Sequence, residues 1–216
     1  MPHYGRRNID SKYRGRLIHR ENFRGVDVWR TCVYVPPSPK GFYRALNYLS
    51  YTFMSIIAGI LSGPADVILC VNPPITVGFS GWLVSRVHRC PMTNNIQDIW
   101  PDCIQIIGQL HSRLLFRIFQ HLEKFMYKIS TRLIVLSDGM AQNLLSKGVQ
   151  GKKVSIIPNW ADTDTVRPLS KKNGFRKIHG LNDSFVVMFA GNLGFNAVLD
   201  TVLDAAEILQ NRSPIR

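Results

Sequence analysis

Asp66-Val67-Ile68-Leu69-Cys70-Val71, stopped by Asn72-Pro73-Pro74, is the stretch that decides the fold. Consecutive rather than alternate apolar positions over a strand's length are the pattern of a parallel strand covered by helices on both faces. The two prolines cannot donate to a ladder, so the strand must end there. Upstream, Leu46, Leu49, Phe53, Ile56, Ile57, Ile60 and Leu61 recur at helical spacing and predict one long apolar helix over 42–61, broken at Gly63-Pro64. Earlier still, Val26 to Val35 is rich in β-branched and aromatic residues and stops at Pro36-Pro37, which predicts another strand. Residues 1–24 are basic, rich in Gly, Arg and Tyr, and without period, so they read as a loop or arm.

Downstream the alternation continues. A helix is expected over 75–88 and a weaker strand at 92–97. Then comes a helix with the stripe Leu110, Leu114, Leu115, Ile118, Phe119, Leu122, Phe125, Met126 and Ile129. Arg132 to Leu136 reads as a strand, Ser137 as the cap of a helix reaching Lys147 with Gly148 as its stop, and Val154 to Pro158 as a last short strand. Strand and helix alternating at this pitch predict an α/β fold, a Rossmann-like doubly wound parallel sheet, over residues 1–158. Such sheets bind ligands at the C-terminal ends of their strands.

From 159 to 183 the composition shifts to Asp, Thr, Lys, Asn and Gly, which marks a linker between domains. A fresh strand, Phe185 to Ala190, is expected to open a second Rossmann-like domain over 184–216, running into Gly191-Asn192-Leu193-Gly194 and then a helical stretch from Leu199 to Leu209. One strand and one helix cannot form a core, so this second domain is expected to be truncated.

An apolar fraction of 45% is ample for a packed core, and the formal net charge is +13. The charge is concentrated early: residues 1–50 carry ten Lys and Arg against three Asp and Glu. A balance this basic suits nucleic acid, an anionic membrane surface or a phosphate-bearing substrate. Interleaved aromatics, zinc-finger spacing and an RNA-recognition signature are all missing, so nucleic acid is the weakest of the three. Cys32, Cys70, Cys90 and Cys103 form no C-x-x-C pair and point to neither a metal site nor a redox motif; a reducing cytoplasm is the simplest compartment. The apolar run from Leu49 to Leu61 falls short of the roughly 20 residues a spanning helix needs. It reads as an interfacial or core helix.

The ordered set of short motifs resembles glycosyltransferase family 4, the retaining enzymes of the GT-B fold, especially those that build bacterial surface polysaccharides. The residues that carry the resemblance begin with Tyr13-Arg14-Gly15-Arg16, Asp66-Val67-Ile68 ahead of Pro73-Pro74, and Gln97-Asp98-Ile99-Trp100-Pro101-Asp102. Pro158-Asn159-Trp160-Ala161-Asp162 and Gly191-Asn192-Leu193-Gly194 complete the set. The resemblance implies an acceptor-binding N-terminal domain, here without the family's usual first strand, glycine-rich loop and first helix. It also implies a donor-binding C-terminal domain cut short before the acidic motif that grips the donor. The implied partners are a nucleotide sugar and a lipid-linked saccharide acceptor at the inner face of the cytoplasmic membrane. Neither a cofactor nor a metal is implied, because the nucleotide sugar is itself the substrate.

Glycines between a strand and a helix let backbone N–H groups approach a diphosphate, so Gly191, Asn192 and Gly194 are the candidate donor-diphosphate residues, against the alternative of an ordinary tight turn. Ala197-Val198 departs from the Gln or Lys followed by Gly that similar enzymes carry. Asp98 follows a predicted strand, and its carboxylate could orient or deprotonate an acceptor hydroxyl as the catalytic group. Trp100 could stack on a sugar. The competing reading has Asp98 capping its loop and Trp100 packing in the core. Asn159 either lines the cleft for substrate or fixes the hinge, and Asp102 reads as a solvated loop acid. The seven basic side chains from Arg6 to Arg24 either meet anionic lipid or form a solvated loop. The expectation is a glycosyltransferase fragment inactive alone, with a non-catalytic binding or scaffold remnant of the fold as the alternative.

Overall fold

The computed structural model describes residues 9–35, 41–103, 112–191, 193, 197, 199–210 and 215. Ile18–Phe23 (β1) and Val26–Thr31 (β2) pair antiparallel, with Ile18 opposite Thr31 and Phe23 opposite Val26. The turn between them, Arg24-Gly25, has φ of 52° and 85°, the doubly positive geometry that matches the twist of a hairpin. Asn22 Oδ1 accepts the Gly25 N–H at 3.0 Å. The expected loop at 1–24 therefore holds a strand, and β2 belongs to this separate two-stranded sheet rather than to the parallel one. β1 escapes a reading by hydrophobic period because polar pairs hold it. Glu21 takes an ion pair from Lys12 at 2.7 Å and a second from Arg30.

The main sheet is Ile68–Asn72 (β3), Met92–Ile96 (β4), Arg132–Val135 (β5) and Val154–Ile156 (β6), all parallel and in chain order. Gly41–Leu61 (α1) precedes β3, and Thr76–His88 (α2) joins it to β4. Arg113–Ile129 (α3) precedes β5, and Asp138–Ser146 (α4) lies between β5 and β6. These agree with the alternation read from the sequence to within a few residues. Ser112 and Ser137 cap α3 and α4 by accepting the N–H of Leu115 and Met140. Gly148, at φ 87°, ends the α4 segment.

The core lies on one face of this sheet. Ile96, Leu133 and Val135 meet Tyr127 of α3 and Ala141 and Leu144 of α4 in a single buried cluster. α2 lies close against the sheet because Gly78 and Gly81 leave room for it. A Cβ on Gly81 would stand 1.9 Å from Cys70 Sγ. The alternate side chains of β3, Leu69 and Val71, are exposed. β3 is thus covered on one face, not on both as its unbroken apolar run suggests. It is an edge strand whose second face meets no described helix closely enough to bury it.

α1 packs on α2 through small and hydroxyl side chains. Thr52 Oγ1 donates to Thr76 Oγ1 at 2.7 Å, Ser55 Oγ to Ser80 Oγ at 3.0 Å, and the His88 ring to the Gly59 carbonyl at 3.0 Å. Its apolar stripe, including Leu49, Phe53 and Ile60, points outward. Helical period located this helix correctly, but not which face its neighbour covers.

The chain divides into two compact units, Met1–Asn159 and Trp160–Arg216. In the second, Asp162 accepts the N–H and hydroxyl of Thr165, and Arg176 donates to the carbonyls of Leu181 and Ser184. Gly174–Ile178 (α5) and Asp200–Leu209 (α6) are its helices among the described residues. The strand expected at Phe185 to Ala190 does not form among the described residues. Only a single parallel bridge, Phe185 to Ile215, is made. An isolated strand has no neighbour to take its N–H and C=O groups.

Candidate functional site

Because all four strands of the main sheet run parallel, their C-terminal ends open onto one edge. β3 delivers Asn72 and the prolines there, β4 delivers Gln97 to Asp102, β5 delivers Leu136 and Ser137, and β6 delivers Ile157 to Asn159. The peptide bonds 72–73, 73–74 and 100–101 are cis. Hydrogen bonds lace the edge together. Gln97 N–H donates to the Asn72 carbonyl at 2.9 Å, and Gln97 Nε2 to Asn95 Oδ1 at 2.9 Å. Asn159 Nδ2 donates to Gln97 Oε1 at 2.9 Å, which joins the end of β6 to the end of β4.

Asp98 stands beside this lacing. Its side chain is exposed and makes no hydrogen bond or ion pair with any described residue; only its carbonyl is used, accepting from Trp100 N–H at 3.1 Å. A carboxylate so placed can accept a hydrogen bond, or a proton, from a hydroxyl brought to the edge. Among the described residues Asp98 makes no capping hydrogen bond, the competing reading of its role. Trp100 is half-buried and packs edge-to-face on Phe119 of α3 with ring centroids 4.4 Å apart, so at least one side of the indole is committed to packing.

Behind the loop lies a half-buried charge cluster around the buried Glu123. Lys147 Nζ is 2.8 Å from Asp102 Oδ2 and 2.6 Å from Glu123 Oε1. Asn143 Nδ2 also reaches Asp102, at 3.1 Å, and Tyr127 Oη donates to Glu123 Oε1 at 2.7 Å. Asp102 is therefore an anchor of the loop and not a solvated acid. Burial pushes the Glu123 carboxyl up from its ordinary value, outweighing the hydrogen bonds from Lys147 and Tyr127 that favour its charged form. Burial likewise raises the Tyr127 phenol. The cluster thus fixes the base of the Asp98–Asp102 loop on α3 and α4.

The edge brings Asp98, Trp100 and Asn159 onto adjoining loops of the first unit. Gly191 lies in the second unit, where a Cβ would approach the Phe189 ring to 3.1 Å, and Asn192 and Gly194 fall outside the described residues. Sequence reasoning gave no role to Gln97, Asn143, Glu123 or Lys147. Asp102 and Lys147 are far apart in sequence and on different elements, so no spacing could pair them. Glu123 falls at helical spacing from Phe119 and Met126 of the apolar stripe, and that was its one sequence signal. Among the described residues no group of three or more His, Cys, Asp or Glu side chains could hold a metal ion.

Comparison with known proteins gives the family. The family described as "Glycosyl transferase 4-like domain" matches residues 9–160, which is the hairpin, the main sheet and the lacing loops. A protein of Escherichia coli (strain K12) described as a colanic acid biosynthesis glycosyl transferase, WcaI, is 22% identical over 219 residues, covering 97% of this chain. The chain spans about half the length of that relative, 53%. With the family's pattern running from the hairpin through the end of β6, the chain belongs to the glycosyl transferase 4-like domain family.

Proposed function

We propose that this chain is part of a retaining GT-B glycosyltransferase, with residues 1–158 on its acceptor side and 184–216 belonging to its donor-binding domain. It would move a sugar from a nucleotide-sugar donor onto a lipid-linked saccharide acceptor in the synthesis of a cell-surface polysaccharide such as lipopolysaccharide. The observation that carries the reading is the Asp98 carboxylate, exposed and without a side-chain partner among the described residues, at the C-terminal edge of the sheet, on a loop held by Asp102 and beside the Gln97–Asn159 bond. In the transfer, the bond between the anomeric carbon and the nucleotide diphosphate breaks, the acceptor oxygen forms the new glycosidic bond, and the nucleotide diphosphate leaves. Asp98 accepts the hydrogen bond of the acceptor hydroxyl and orients it. Trp100 offers the free part of its ring to the sugar, Asn159 contacts the substrate from the linker, and Gly191, Asn192 and Gly194 receive the diphosphate. No described helix is long and apolar enough to cross a membrane. The basic N-terminal residues and the outward apolar stripe of α1 suit peripheral attachment at the cytoplasmic face of an anionic membrane.

A non-catalytic binding role is the second reading, and one observation favours it: Phe185 to Ala190, expected to lead to the donor site, is not in a sheet. Titration calorimetry with a panel of nucleotide sugars separates the two. The 216-residue chain should bind none of them. The same chain joined to the donor half of a relative should bind one and transfer its sugar. Transfer-dead joined protein that still binds a lipid-linked acceptor supports the scaffold reading. Saturable nucleotide-sugar binding by the chain alone overturns the reading of its donor-binding domain as truncated.

A further inference from the structure

α3 has an apolar surface larger than its packing uses. On a helix of about 3.6 residues per turn, Glu123, Met126 and Tyr127 face the core and are buried, while Leu114, Leu115, Ile118 and Phe125 share the neighbouring strip. Those four are 68%, 46%, 52% and 41% exposed. Beyond them Arg113, Arg117, Lys124 and Lys128 form a third, cationic strip. The strip of α2 beside α3 extends the apolar surface. The Phe79 and Trp82 ring centroids are 5.7 Å apart and those of Trp82 and Phe125 6.0 Å apart, with the Arg86 guanidinium 5.9 Å from the Trp82 ring.

We propose that this α2–α3 surface is the seat of the protein on an anionic lipid bilayer, with Leu114, Ile118, Phe125 and the edge of Trp82 in the acyl–headgroup boundary and the cationic strip on the phosphates. The argument for lipid over another protein is charge complementarity. α2 has no acidic residue, and the single acid of α3, Glu123, is 1% exposed, so the exposed charges of these two helices are all cationic. A helix with one apolar and one cationic strip side by side lies in a membrane interface, and each cation near an anionic leaflet adds about fivefold to binding. Aromatic rings with an adjoining guanidinium suit the headgroup level. This inference rests on the reading of the chain as acting at a lipid surface, and moves the main point of contact from the N-terminal residues and α1 to α2 and α3.

The test is co-sedimentation of the full chain with phosphatidylcholine vesicles, with and without phosphatidylglycerol, at low and high salt. Three proteins are compared: the wild type, a Leu114→Ser/Ile118→Ser variant, and an Arg14→Gln/Arg16→Gln control in the N-terminal segment. The proposal expects salt-sensitive binding that requires phosphatidylglycerol, at least tenfold weaker in the α3 variant and within about threefold of wild type in the control. Vesicles should also slow amide exchange of α3 in the wild-type chain, a readout independent of any substitution. Binding lost in the control and kept in the α3 variant overturns the proposal while leaving the lipid-surface reading intact. No binding to either vesicle overturns both. Self-association abolished by the α3 substitutions, with vesicle binding unchanged, assigns the surface to a second copy of the chain and overturns the proposal.

Discussion

Lys147 Nζ lies 2.8 Å from Asp102 Oδ2, pinning the loop after β4 to the end of α4 across 45 positions of sequence (147 − 102). The same ammonium serves the buried Glu123, so removing it strands a carboxylate with little solvent. Lys147→Met should destabilise the first unit by about 3 kcal/mol, the usual cost of breaking a buried pair from one side. Pairing it with Glu123→Gln should recover part of the loss. Urea denaturation of the single and double variants measures both. Equal stability of Lys147→Met and wild type would show that the cluster does not hold the loop.

The approach of α2 to β3 depends on a missing side chain. Gly81→Ala puts a methyl 1.9 Å from Cys70 Sγ and 3.2 Å from Met92 Sδ, both in the buried layer. Overpacking of this kind costs about 1–3 kcal/mol. Gly139→Ala, where a Cβ meets nothing within 4 Å, is the control and should be near neutral or slightly stabilising. Thermal unfolding of the two variants checks the contrast.

The hairpin carries its own pH signature. Hydrogen bonds from Lys12 and then Arg30 hold the Glu21 carboxyl down to about 2, against an ordinary 4.5. A carboxylate depressed in the folded state adds stability that is complete above the ordinary value and disappears as pH falls through the depressed one. The β1–β2 pairing should therefore be intact at pH 5 and weaken progressively between about 4.5 and 2. A carbon-detected titration of Glu21, read with the cross-strand contacts of His19 and Arg30, follows it. A midpoint near 4.5 would mean that these ion pairs do not persist in solution.

What the sequence revealed and what it hid have different physical origins. The strands and helices from α1 to β6 were legible because each signal is local: Ser137 caps α4, Gly148 stops it, and Pro73 ends β3. Faces were less legible, because burial depends on neighbours. The apolar run of α1 reads as interfacial or core and that of α3 as a single stripe, yet α1 meets α2 through Thr52 and Ser55, and α3 buries Glu123 while exposing Leu114. β1 was hidden because Lys12, Glu21 and Arg30 stabilise it in place of apolar alternation. In the site, Asp98 and Asn159 could be placed from strand ends alone. Their supports, Gln97 and Lys147, could not, since those contacts exist only once distant segments fold together.

The edge formed by Asp98, Trp100 and Asn159 is the proposed acceptor site, and it can be mapped directly. The measurement is the amide and side-chain shift changes of the labelled chain on titration with a water-soluble, short-chain prenyl diphosphate sugar. Saturable changes should gather at Gln97, Asp98, Trp100 and Asn159, and Trp100→Ala should weaken binding by roughly three- to tenfold, the worth of one aromatic contact. Saturable changes confined to other parts of the first unit, with Trp100→Ala binding as tightly as wild type, would contradict the assignment.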